Sequence, residues 1–136
     1  MNPLAASRRA AKEQPKNRLR VLVVDDELRY AEAISMLVGE HEGMEVVGIA
    51  GDGHEAIELA CYLQPDVVLM DVQMPRLDGI SATRWIHRNL PATNVVVMTA
   101  LTAEEHAEGS FSAGGVAFVK KFSSARELVA AIEQFS

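Results

Sequence analysis

Five short apolar runs recur along the chain, each followed by a segment with helical spacing, and this alternation leaves few folds open. The runs are LRVLVV (19–24), MEVVGIA (44–50), DVVLM (66–70), NVVVM (94–98) and VAFV (116–119). Each is about the length of a strand and mostly apolar, with its polar residues at or near its start, the pattern of a strand covered on both faces. Strict β–α alternation then implies a parallel sheet flanked by helices on both sides. At 136 residues the chain suits one domain with a full core.

The intervening segments carry helix signals. Residues 28–39 place Tyr30, Ile34, Leu37 and Val38 on one face. Residues 52–63 begin with Asp52 as N-cap and Glu55 three positions on, with Ala56, Ile57, Ala60 and Cys61 as the inner stripe. A helix near 79–90 turns Thr83, Ile86 and Leu90 inward and ends before Pro91. The last helix starts at Ser124, capped with Glu127, and buries Leu128, Val129, Ile132 and Phe135. The segment 102–115 starts well at Thr102 but contains Gly109. A mid-helix glycine costs roughly 1 kcal/mol against alanine, so this reads as a helix of marginal stability.

Composition excludes several classes. No apolar run approaches the ~20 residues of a membrane span. The first residues have paired arginines but no following apolar stretch, unlike a secretory signal. A single cysteine, Cys61, excludes an intramolecular disulfide, fits a reducing cytoplasm, and reads as a small core residue on its helix. Residues 1–18 carry a net +4, leaving −10 on the rest of a chain whose formal charge is −6. An acidic body suits a cation site or a basic partner better than nucleic acid phosphate. Residues 1–18 read as a flexible basic tail and 19–136 as the folded domain.

The strand ends carry the chemistry. Ligands of such sheets bind beyond the carboxyl ends of the strands. There the first strand is followed by Asp25-Asp26-Glu27, the third by Asp71, the fourth by Thr99-Ala100 and the fifth by Lys120-Lys121. Three carboxylates brought to one edge need a cation. Oxygen-only ligands favour a hard divalent ion, Mg²⁺ above all. A lysine and a threonine hydroxyl at the same edge can meet an anionic group. The set suits phosphoryl transfer to a carboxylate, with metal and lysine offsetting charge. Any one of these residues alone would be uninformative.

The segments VLVVDDE, PDVVLMDVQMPRLDGISATRWI, VVVMTAL and SAGGVAFVKKFSS closely resemble the receiver domain of bacterial two-component response regulators. The wording around DVQMPRLDGISATRWI is most like receivers that precede helix-turn-helix output domains. The resemblance covers residues 19–136 and implies a flavodoxin-like α/β fold, strand order 2-1-3-4-5, with five helices. It makes Asp71 the phosphoacceptor, Asp26 a direct Mg²⁺ ligand, Asp25 a ligand through water, and the Gln73 backbone carbonyl the remaining protein ligand. Thr99 matches the switch hydroxyl and Phe118 the aromatic switch position, where the family often has Tyr. An ungapped match puts the invariant lysine at Lys121 in preference to Lys120, which strand alternation turns to the other face. The family often has Pro after this lysine, commonly after a cis bond. Here it is Phe122, and a cis bond before a non-proline costs roughly 3–4 kcal/mol, a departure that bears on the geometry of this loop.

The implied function is a phosphoacceptor switch. A histidine kinase or histidine phosphotransfer protein supplies the phosphoryl group, and the surface of the fourth helical segment, fifth strand and last helix responds. A phosphorylation-dependent homodimer is a further partner the resemblance allows. The receiver itself is expected to bind neither membrane nor nucleic acid, to lie in the cytoplasm, and to turn over no external substrate. Output would be transcriptional in a longer chain, or through protein contacts in a stand-alone interaction module. An aspartyl-nucleophile phosphatase would want an Asp two residues after its nucleophile, where this chain has Gln73. The segment GIAGDGHEA does not fit a dinucleotide-binding glycine fingerprint. The four histidines form no metal set.

Overall fold

A computed structural model of the chain describes residues 18–72, 74, 78–99 and 116–136. The strands are β1 (Leu19–Val24), β2 (Met44–Ala50), β3 (Val67–Asp71), β4 (Asn94–Thr99) and β5 (Val116–Lys120). All pair in parallel, in the order β2-β1-β3-β4-β5. The described helices are α1 (Leu28–Gly39), α2 (Gly53–Leu63), α3 (Gly79–Asn89) and α4 (Ala125–Glu133). The fold class and strand order are those implied by the sequence. The expected fourth helical segment, 102–115, lies outside the described residues, as do most of the basic tail, Gln73 and Ala100.

The sheet is covered on both faces, and the two faces follow strand alternation. Val21, Val23, Val67, Leu69, Val96 and Met98 point to one side, where they meet Ala31, Ile34 and Val38 of α1 and Leu128 and Ile132 of α4. Leu22, Val24, Val68, Met70, Val95 and Val97 point to the other, against Ala56 and Ala60 of α2 and Ala82 and Ile86 of α3. This explains why the central runs, such as Val21–Val24 and Val67–Met70, are continuously apolar. Fully burying a side chain such as Ile132 contributes roughly 1.5–3 kcal/mol.

Two caps fall where the sequence places them, at Asp52 and Ser124, and a third stands at Asp78. The side chains of Asp52, Asp78 and Ser124 accept from the backbone N–H groups of Glu55, Ser81 and Glu127. Glu55 Oε1 accepts from Gly51 N–H at 2.6 Å, one residue before the N-cap amide a capping box would use. At the end of α2, Gln64 is left-handed, and Arg20 Nη1 donates to the carbonyls of Leu63 and Gln64. That ties β1 to α2 at the edge remote from the strands' carboxyl ends.

Two expectations about buried faces are corrected. Leu37 is 42% exposed, because Ala31 takes the inward position with Ile34 and Val38. Cys61 is exposed, because Ala56 and Ala60, the small residues at helical spacing, make the close approach to the sheet. Tyr30, Ile57, Leu90, Val129 and Phe135 are only partly buried at the margins of the two clusters.

Candidate functional site

The parallel sheet brings the ends of β1, β3, β4 and β5 to one edge, and strand register fixes what stands there. Asp25 follows β1, and its N–H donates to Ala50 O at 3.0 Å. Asp71 closes β3 opposite Met98 of β4. Both carboxylates are buried, while Asp26 is exposed. One oxygen from each of Asp25, Asp26 and Asp71 lies within 4.8 Å of the other two.

Lys121 closes the cluster. Its Nζ lies 3.0 Å from Asp25 Oδ2 and 3.2 Å from Asp71 Oδ2, with its side chain 14% exposed. Lys121 N–H donates to Thr99 O at 2.7 Å, which fixes the residue beside β4. Lys120 is exposed. Burial alone would lower the lysine pKa. The contact with Asp25, the charges of Asp71 and Asp25, and the hydrogen bond to Asp71 outweigh this and hold it above its ordinary value.

Asp25 Oδ1 accepts from Glu27 N–H at 2.9 Å, but Oδ2 is buried with no hydrogen bond among the described residues. Its contact with Lys121 is therefore an ion pair by distance that lacks hydrogen-bond angles. The residues fit a divalent ion on three counts. The donors are all carboxylate oxygens. One oxygen from each lies within 4.8 Å of the other two, so small side-chain shifts bring them within the ~4.2 Å that separates opposite oxygens of an octahedral Mg²⁺. Three carboxylates and one ammonium leave a charge of −2, which a divalent ion balances.

Thr99 is buried at the end of β4. Phe118 of β5 pairs with Val97 and packs against the α2–α3 side of the core. Alternation puts Thr99 on the same face as Val97, so Thr99 and Phe118 share a sheet face. Gln73 lies outside the described residues.

Three further residues shape the site: Phe122, whose departure from the family's Pro the sequence flagged for the loop's geometry, and Gly79 and Tyr30, to which the sequence gave no role there. Gly79 opens α3 against the strand carrying Asp71: a Cβ at Gly79 would stand 2.1 Å from Asp71 O. A glycine directly after an N-cap Asp was the available signal. Phe122 follows the lysine with φ 68, a conformation that costs a bulky residue on the order of 1–3 kcal/mol. No cis peptide occurs among the described residues. Tyr30 of α1 accepts the Phe122 N–H on its hydroxyl at 3.0 Å, a contact across 92 residues that no local pattern announces.

A doubly wound parallel sheet with three aspartates, a lysine and a threonine at its carboxyl edge is an α/β architecture whose ligands bind beyond the strand ends. Residues 21–133 match the family model described as response regulator receiver domain, and the chain belongs to that family. It is 40% identical over 117 residues to an uncharacterized transcriptional regulatory protein, YxjL, of Bacillus subtilis, covering 86% of this chain and 54% of that protein. It is 43% identical over 114 residues to the transcriptional regulatory protein PdtaR of Mycobacterium tuberculosis, covering 84% and 55%. The crystal structure of a LuxR-family two-component response regulator from Aurantimonas sp. SI85-9A1 superposes with a TM-score of 0.79 at 35% identity, covering 86% of this chain and 84% of that one. The chain spans about half the length of the curated relatives it matches. Among the described residues no helix is long and apolar enough to cross a membrane.

Proposed function

We propose that this receiver domain is a Mg²⁺-dependent phosphoacceptor switch with Asp71 as the accepting residue. The observation that carries the reading is the buried Asp71 carboxylate, 3.2 Å from Lys121 Nζ and beside Asp25 and Asp26. An Asp71 oxygen attacks the phosphorus of a phosphohistidine on a kinase or phosphotransfer protein. The O–P bond forms as the P–N bond breaks, and the imidazole leaves with the electron pair. The product is an acyl phosphate on Asp71.

Asp26, Asp71 and the Gln73 carbonyl would hold Mg²⁺, with Asp25 acting through water. A bound Mg²⁺ offsets the charge of the transferring oxygens. Lys121 supplies a second positive charge and follows the phosphoryl group. Thr99 turns its hydroxyl toward that group, and Phe118, on the same face, repacks without a hydroxyl of its own. The surface of residues 102–115, β5 and α4 changes in response.

The output is transcriptional where the receiver is joined to a further domain, as in relatives named transcriptional regulators. A phosphorylation-dependent homodimer and a cytoplasmic location belong to the same reading. So does the basic segment 1–18 as a tail outside the receiver.

Incubation with Mg²⁺ and acetyl phosphate should add one phosphoryl group to the intact mass. EDTA or Asp71→Ala should abolish it. An unmodified wild-type mass under these conditions, with the protein folded, would sink the proposal. If Mg²⁺ also failed to bind in a titration, the pure interaction module would replace it.

A further inference from the structure

Lys121 is held from two directions, and only one of them carries opposite formal charge. On the carboxylate side stand Asp25 and Asp71. On the other are two rings: Lys121 Nζ lies 4.9 Å from the Tyr30 ring centroid and 5.7 Å from that of Phe122. Both are within the ~6 Å range of cation–π attraction. The rings pack edge-on, with centroids 4.9 Å apart at 66°.

The backbone that carries the lysine has an unusual anchor. Phe122 is left-handed, and its side chain is 72% exposed, so burial does not hold it there. Its N–H is instead taken by the Tyr30 hydroxyl. On either side, Lys121 N–H is fixed by Thr99 O, and Ser123 N–H donates to Lys120 O at 3.1 Å. Tyr30 is therefore the contact from outside the sheet that sets where the residue after the lysine lies. It makes that contact from α1, whose Ala31 and Ile34 are buried in the core next to it.

We propose that Tyr30 is a positioning residue that acts through Lys121. Its hydroxyl fixes the 121–122 backbone and its ring flanks the ammonium, so the lysine is already aimed when an anion arrives at Asp71. The inference rests on the phosphoacceptor reading above. It does not make Tyr30 a metal ligand or a phosphoryl contact.

The test is a double-mutant cycle read by calorimetric titration of Mg²⁺ alone, then of beryllofluoride at saturating Mg²⁺, with urea unfolding of each variant as the check on folding. Tyr30→Leu should weaken beryllofluoride binding about tenfold, and Tyr30→Phe, which keeps the ring and remains usable if the leucine variant unfolds, about threefold. Mg²⁺ affinity should stay within about twofold in both, since the contacts of Tyr30 described above are to Lys121 and Phe122. In the Lys121→Ala background either Tyr30 substitution should have no further effect. Full loss persisting without Lys121, equal losses for Mg²⁺ and beryllofluoride, or no loss in Tyr30→Leu would each overturn the proposal. Failure of the wild type to bind beryllofluoride would remove the phosphoacceptor reading itself, a result distinct from any of these.

Discussion

Replacing Gly79 by alanine tests how tightly the helix and strand around Asp71 are fitted. A Cβ there would lie 2.1 Å from Asp71 O, 2.6 Å from Val72 Cα and 2.9 Å from Asp71 C, all backbone atoms. Ordinary C···O contacts begin near ~3.3 Å, so relief needs a shift of about 1 Å. Asp71 ends the central strand and Val72 follows it; both are buried, and their backbone cannot yield as a flexible side chain would. Overpacking of this kind costs about 1–3 kcal/mol or more, against a helix-propensity gain of about 0.5–1 kcal/mol. The expected net loss is about 2 kcal/mol, seen as a urea midpoint lowered by about 1 M at unchanged slope. Where the protein stays folded, a shift of about 1 Å in Asp71 should slow phosphorylation by acetyl phosphate on the order of 10²-fold. Gly39 supplies the control: nothing stands within 4 Å of a Cβ there, so Gly39→Ala should stabilise by about 0.5–1 kcal/mol. If Gly79→Ala were as stable and as reactive as the wild type, the close fit argued here would be wrong.

Lys121→Ala leaves the buried Asp25 and Asp71 without their ammonium. A loss of about 1–3 kcal/mol is expected in EDTA, since the lysine is partly solvated, with partial recovery in Mg²⁺; equal stability in EDTA would count against the ion pairs. The lysine pKa is raised in the folded protein, so its stabilisation is complete below the unfolded lysine pKa and fades as pH rises through the folded one. Metal-free protein should therefore lose stability in that alkaline window, and Lys121→Ala should lose correspondingly less there, measured by urea midpoints across the range. Mg²⁺ at about 100 times its dissociation constant should add about 2.7 kcal/mol, removed by EDTA and absent in an Asp26→Asn, Asp71→Asn double variant by calorimetry. Ser124→Ala, which deletes the cap on Glu127 N–H, should cost about 1 kcal/mol in the same unfolding assay without altering Mg²⁺ affinity.

Elements with one dominant local cause were legible in the sequence. The strands came from runs such as VLVV, whose every residue must be buried, α2 and α4 from side-chain caps at Asp52 and Ser124, and α3 from its apolar spacing and the stop before Pro91. The carboxylate edge was legible because parallel topology converts separate strand ends into neighbours. Which helix residues face the core was less so. Alanine competes with larger apolar residues for the inward position, and packing distance decides, as Ala31 did over Leu37 and Ala60 over Cys61. The Tyr30–Phe122 contact was not legible at all, because a hydroxyl that accepts one backbone N–H from a remote loop leaves no periodicity. The glycine contact at Gly79 needs three-dimensional distance for the same reason.

The strand order divides the site mechanically. Asp25 and Asp71 ride on β1 and β3, and Thr99 on β4, each hydrogen-bonded to strands on both sides. Lys121 directly follows β5, which among the described residues is an edge strand with one partner. Local opening falls first on elements with fewer partners, so amides of β5 should exchange with solvent sooner than those of β3. The acid half of the site is thus the stationary frame, and the base half is the part with play.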